Sequence, residues 1–396
     1  MGNVPKLRFS DFEGDWQTTR LNSLVTSIDS GWSPNCDSRP AKSNEWGVLK
    51  TTSVTWSGYD ENENKKLPDS LVARPNIEVQ ENDILITRAG PVNRVGVVAL
   101  VSSTRPKLML SDKLIRLRSC KEVYPPFLSR SISGAGVQKY LAARKSGLAE
   151  AQANISQDIL RKAPVKVPPT KLEQQKIADF LTAVDTKIEQ LTQKEVLLKQ
   201  YKKGVMQKIF SQEIRFKADD GSEFPEWEDN HLSDLVDIQK GSQLNKDTLT
   251  EQGTYPALNG GINPSGYTND WNTESGTVTI SEGGNSCGYV NLVKTRFWSG
   301  GHNYSLQKVK ASTSSQYLYQ YLKFLEPKIM RLRVGSGLPN IQKGDLSCFE
   351  MKLPCLKEQE KISGLLGGLD EKIRRSQEQI SSAKTFKKGL LQQMFC

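Results

Sequence analysis

Apolar residues recur along this chain with two different periods. Over one stretch they fall at Ile177, Leu181, Val184, Ile188, Leu191, Leu198, Val205 and Ile209, an alternating four-three spacing interrupted only by Glu195 and Lys202. The spacing returns at Ile362, Leu366, Leu369, Ile373, Ile380, Ala383, Leu390 and Met394, interrupted by Ser376 and Lys387. A period of 3.5 sustained this long predicts a coiled-coil seam rather than a helix laid on a sheet. Pro168, Pro169 and Pro354 bar an earlier helix start, and Glu173 and Glu358 fall in the first turn, where the helix dipole favours anions. Polar residues at seam positions weaken such a pair of helices but fix its register.

The remaining sequence has a shorter rhythm. Residues 1–165 show extended runs at 84–87, 96–101 and 114–117, separated by Gly, Pro, Asn and Asp, and a helix-like stretch at 127–145. Residues 213–350 repeat that plan, with runs at 278–281, 289–293 and 304–309 and a helix at 316–333. Each reads as an α+β module with a curved or barrel-like sheet. The repetition is also literal: 169–210 lies on 354–395 at a constant offset of 185, with 15 of 42 positions identical. Asn154-Ile155 answers Asn340-Ile341, and Leu7-Arg8-Phe9 with Trp16 answers Ile214-Arg215-Phe216 with Trp227. The expected fold is therefore α+β in a pseudo-twofold repeat: two tandem globular modules, 1–165 and 213–350, joined by two long antiparallel coiled-coil helices, 166–212 and 351–396.

Composition narrows the picture. A length of 396 residues and a 36% hydrophobic content exclude global disorder and fit two or three domains. The longest apolar stretches, such as 95–101, fall far short of the ~18–20 residues of a membrane span, and the first ten residues lack a signal-peptide core; the expected location is the cytoplasm, with no membrane partner. Six cysteines without a CxxC pair and two histidines offer neither a disulfide framework nor a metal site. The net charge of +10 suits a polyanion. It is unevenly spread: residues 1–168 carry 24 basic and 17 acidic groups, whereas 211–351 carry 13 and 17, with nine of those acids confined to 213–237.

Two glycine-rich loops hold the residue types that read base edges. Arg88, Asn93 and Arg94 lie between two extended runs of the first module; Asn285 and Ser286 occupy the counterpart turn, followed by Lys294, Arg296 and Asn303, while Asn259 and Asn263 form a second polar loop. Arg addresses guanine and Asn addresses adenine with two hydrogen bonds each. Lys50 and Lys113 complete the DNA-binding candidates. Catalytic signals are absent, since there is no GxxxxGK[ST] and no GxGxxG after a strand. Tyr124-Pro125-Pro126-Phe127 has Tyr where an amino-methyltransferase needs Asn, and Glu326-Pro327-Lys328 mimics a nuclease ending whose Pro-Asp, at 68–69, lies in the other module. From the residues alone, the competing reading is a non-catalytic coiled-coil scaffold that binds proteins and has no DNA specificity.

The helix ends 201–210 (YKKGVMQKIF) and 386–395 (FKKGLLQQMF), with 169–177 (PTKLEQQKI) and 356–362 (LKEQEKI), resemble the specificity subunit of a type I restriction-modification system, and the resemblance covers essentially the whole chain. It implies that each variable module is a target recognition domain reading one half of a split site on double-stranded DNA, with the coiled coil setting the spacer. It also implies no catalytic residue here. Adenine methylation would fall to two modification subunits carrying the S-adenosylmethionine site, and cleavage to restriction subunits that hydrolyse ATP with Mg, so every cofactor is expected on partners.

Overall fold

The computed structural model describes residues 4–147, 152–335 and 337–395. Its chain forms two compact units, residues 1–190 with 379–396, and residues 191–378.

In the first unit, strands β1 (Val25–Ser30), β2 (Ile84–Thr87), β3 (Val98–Leu100) and β4 (Leu114–Ser119) form an antiparallel sheet in the order β1-β4-β2-β3. Strand β2 is apolar without alternation because both of its faces are covered, Ile84, Leu85 and Ile86 all being buried. Ile84, Ile86, Ile115 and Leu117 join a core with Phe127, Leu128 and Leu160, while Leu85 and Leu114 point into a second core with Val48, Leu49 and Leu108. That second core is roofed by Gly47–Leu49, which runs parallel to Leu108–Met109 and antiparallel to Asn64–Lys66. The run expected at 96–101 begins only at Val98, because Gly96 (φ +89°) turns the hairpin. The helix expected at 127–145 is two helices, Pro125–Ser133 and Ala135–Ala142, broken where Gly134 is extended (ψ 156°). Tyr124 is simply the residue that leads into the first of them.

The second unit repeats this plan. Strands β5 (Asp237–Lys240), β6 (Thr277–Ser281), β7 (Val290–Val293) and β8 (Asn303–Gln307) lie in the same order, β5-β8-β6-β7, again all antiparallel. Tyr255–Leu258 runs parallel to Trp298–Ser299 and antiparallel to Gly266–Thr268. Helix Ser315–Ile329 continues as a 3-10 turn at Met330–Leu332, one residue short of the predicted end. Glu326 accepts hydrogen bonds from the Val290 amide (2.8 Å) and Lys323 Nζ (2.5 Å), and Asp69 pairs with Lys66 (2.8 Å), so both pieces of the nuclease mimic serve the fold.

The two long helices run Lys171–Phe210 and Leu356–Met394. Ser376 Oγ donates to the Leu191 carbonyl (3.4 Å) and Lys202 Nζ reaches Asp370 (2.6 Å), which makes them antiparallel. In the first unit Lys387 pairs with Asp185 (2.6 Å). The two lysines that interrupt the seam are thus answered by two aspartates, and each pair is the other shifted by the 185-residue repeat. Glu173 and Glu358 do more than complement the helix dipole. Buried Glu173 accepts from Arg8 Nε (2.7 Å) and Trp16 Nε1 (3.1 Å), and buried Glu358 from Arg215 Nη2 (2.9 Å) and Trp227 Nε1 (3.1 Å). This explains the Arg-Phe…Trp echo that opens each half.

The compact units differ from the segments expected at 166–212 and 351–396, for a packing reason. The last turns of each long helix complete a module core: Leu390 and Met394 lie in that of the first unit, with Phe395 stacked on Phe127 (5.7 Å). Met206, Ile209 and Phe210 lie in that of the second, with Phe210 against Tyr321 (4.8 Å). No helix among the described residues is long and apolar enough to cross a membrane.

Candidate nucleic-acid interface

Each module ends its central sheet strand in the same backbone arrangement. After β2, the Arg88 amide donates to the Lys113 carbonyl (2.8 Å), the Arg88 carbonyl accepts from the Ile155 amide (2.9 Å), and the Gly96 amide closes the hairpin on Thr87 (2.8 Å). After β6, the Glu282 amide donates to His302 (2.9 Å), its carbonyl accepts from Ile341 (2.8 Å), and Gly288 closes on Ser281 (2.8 Å). The repeated Asn-Ile pairs therefore dock beside the root of each loop. Gly96 and Gly288 share φ +89°, a left-handed conformation that glycine adopts without strain.

A second loop is tied to the first in both modules. Arg94 Nη2 donates to the carbonyls of Thr51 (2.9 Å) and Val54 (3.2 Å), and Thr87 Oγ1 donates to the Arg94 carbonyl. In the second module, Ser286 Oγ donates to the Gly260 carbonyl (2.6 Å), and Ser281 Oγ donates to the same oxygen. Lys50 and Asn259, each one residue before these anchors, occupy equivalent places. Lys50 pairs with Glu63 (2.7 Å), and Asn259 Oδ1 accepts from the His302 amide (3.1 Å). Asn259 also lines a cavity of about 620 Å³ with Gln243, Leu258, Trp298 and Gly300.

The candidates read from sequence fall into four groups. Arg88 is half-buried, its guanidinium has no hydrogen bond or ion pair among the described residues, and its Nε is shut away from solvent. Asn93, Lys113, Asn263, Asn285 and Lys294 are exposed. Arg94, Lys50, Ser286 and Asn259 are engaged in holding the loops, and Arg296 pairs with Glu274 (3.0 Å) over the Trp271 ring (4.3 Å). Asn303 is a correction: it is 3% exposed, its Nδ2 donates to Ser299 Oγ (3.0 Å), and it belongs to the interior. Lys294 and Arg296 follow the far end of β7, a strand length from the 283–288 loop, so the fold does not gather them with Asn285.

Sequence reasoning missed Glu282. It is 6% exposed, and its Oε1 accepts from Lys240 Nζ (2.5 Å) and from the Tyr304 hydroxyl (3.2 Å). Burial, with this carboxylate beside it, pushes the Tyr304 hydroxyl up to about 12. The usable signal was the Asn-Ile repeat, which puts Glu282 where the first module has Arg88.

The sequence profile of the type I restriction modification DNA specificity domain matches residues 13–200 and 225–384. The chain belongs to this family. Among relatives of this specificity family, the type I restriction enzyme EcoEI specificity subunit of Escherichia coli is 45% identical over 175 residues, 43% of this chain and 30% of that one, so the match spans under a third of that relative's length. The type I restriction enzyme MjaVIII specificity subunit of Methanocaldococcus jannaschii is 24% identical over 353 residues, 79% of each chain. The crystal structure of the type I restriction-modification S subunit from M. genitalium shares the fold, with a TM-score of 0.68 at 19% identity over 99% of both chains. The duplicated loop cluster described above lies within the two profile-matched stretches of this specificity chain.

Proposed function

We propose that the chain is the non-catalytic specificity subunit of a type I restriction-modification complex, and that each module reads one half of a split site on double-stranded DNA. The observation that carries this reading is the duplicated loop cluster: two modules of one family build the same loop root at residues 88 and 282 but dress it with different side chains. Two readers of shared architecture and different chemistry suit two half-sites of different sequence. The exposed Asn93, Lys113 and Asn285, with Arg88, whose guanidinium has no partner among the described residues, supply donors for bases and phosphates. Membership of a DNA specificity family favours this over a protein-binding scaffold. Methylation of adenine and cleavage belong in this reading to modification and restriction subunits, which hold the S-adenosylmethionine, ATP and Mg, and the complex works in the cytoplasm.

The long helices give the reading a spacer. A helix of 40 residues is about 60 Å long at about 1.5 Å per residue. Sequencing of methylated DNA from cells expressing the chain with modification subunits is expected to show two half-sites separated by a fixed gap. Inserting one heptad into each long helix adds about 10 Å and is expected to widen that gap by about three base pairs, with both half-sites unchanged. A gap that stays constant contradicts the spacer role, and absence of any bipartite site contradicts the function.

A further inference from the structure

Residues 88 and 282 stand at one place in two copies of a fold, yet carry opposite charges. Register pairing makes the match concrete. In the first module Thr87 faces Leu114 and Ile115 faces Ser30; in the second Ser281 faces Asn303 and Tyr304 faces Lys240. Hence Lys240 and Tyr304, which hold the Glu282 carboxylate, correspond to Ser30 and Ile115, which offer Arg88 no counter-charge. The backbone hydrogen bonds at the two positions are the same. The fold therefore requires neither charge at this place: Lys240 and Tyr304 offset the burial of the Glu282 carboxylate, and the first module builds the same backbone without any of the three.

We infer that positions 88 and 282 are equivalent specificity-determining positions, and that Glu282 accepts a hydrogen bond from the exocyclic amine of a cytosine in the second half-site. The inference rests on the proposed DNA-reading function. Glu282 is prepared for such a role. Its Oε1 is fixed by Lys240 and Tyr304, whereas Oε2 has no hydrogen bond among the described residues and lies 3.6 Å from His302 Nδ1. A carboxylate repels phosphate but accepts from cytosine N4, so beside DNA its chemistry selects a base edge. Lys240 and His302, with side chains 53% and 63% exposed, stand on either side and suit the flanking phosphates. Arg88, whose guanidinium has no partner among the described residues, suits the O6 and N7 edge of guanine at the matching position of the first half-site.

The test is carried out on the full chain co-expressed with modification subunits, with base preference read at every position of both half-sites. Glu282→Gln is expected to change preference at one second-half position, from cytosine toward adenine, by about five-fold or more, while the first half-site serves as the internal control of folding. Arg88→Gln is expected to mirror this, moving one first-half position from guanine toward adenine. Should Glu282→Gln abolish marking altogether, Tyr304→Phe gives the answer: it leaves the carboxylate and removes one donor that positions it, and is expected to relax that same position alone. Preferences unchanged at every position, or equal weakening on all sequences, would overturn the assignment while leaving the two-reader function standing. A wild-type chain that marks no bipartite site would overturn both.

Discussion

The two modules share a sheet order, a roofing sheet, a pinned loop and a buried Glu–Arg–Trp anchor, yet they differ in charge at the loop root. In the first module Arg88 lacks a counter-ion among the described residues; in the second, Glu282 is neutralised by Lys240 and held by Tyr304. The shared part is architecture, fixed by backbone hydrogen bonds and apolar burial. The differing part is side-chain chemistry laid on that frame, where divergence costs the fold little. That separation lets one scaffold serve two targets.

The largest effects should come from what the modules share. Glu173→Ala and Glu358→Ala each strand a partly buried arginine and a buried indole N–H, so each is expected to cost about 3–5 kcal/mol, read by denaturant unfolding of the full chain. Similar losses at both sites would sharpen the equivalence; a loss at only one would break it. The seam pairs should come next. A double-mutant cycle on Lys202 and Asp370 is expected to give a coupling of about 1–2 kcal/mol. The equivalent cycle on Lys387 and Asp185 should give less, because both partners are about a third exposed and Asp185 is also held by Arg130 (2.9 Å). Equal couplings would show that burial does not set the strength of these pins.

Smaller and more local effects should fall where the modules differ. Arg88→Ala is expected to lose about 1–3 kcal/mol of discrimination at one first-half position, measured by competition binding, with stability nearly intact. Arg94→Ala, which frees the 51–54 loop, should instead lower stability by about 1 kcal/mol and blur the half-site without moving one position. Lys113→Ala should weaken binding uniformly and reduce the salt slope by about one; a change confined to one sequence would make it a base reader.

Much of the architecture was legible in the sequence because it is written twice. The 3.5 period located both long helices to within a few residues, and the constant offset of 185 marked them as a pair. Three strands of each central sheet were legible as apolar runs, whereas the edge strands β1 (VTSIDS) and β5 (DIQK) were not, because their mixed polar composition carries no such signal. The helix break at Gly134 was not, because a single glycine within a helical pattern is compatible with either outcome until packing decides. Loop residues were the least legible. Arg, Asn and Ser have the same donors whether they face solvent or tie a neighbouring loop, so Arg94 and Ser286 could not be told from Arg88 and Asn285. Asn303 looked available because a buried polar strand residue carries no mark of burial in the sequence. Glu282 escaped notice because an acid is an unexpected reader of a polyanion, and only its backbone equivalence to Arg88 draws attention to it.

The central claim is that two independent readers share one frame. It is tested most directly by replacing residues 1–165 with the corresponding module of another family member and sequencing the methylated DNA. The account predicts a new first half-site, with the second half-site and the gap unchanged. A change in both halves would contradict it.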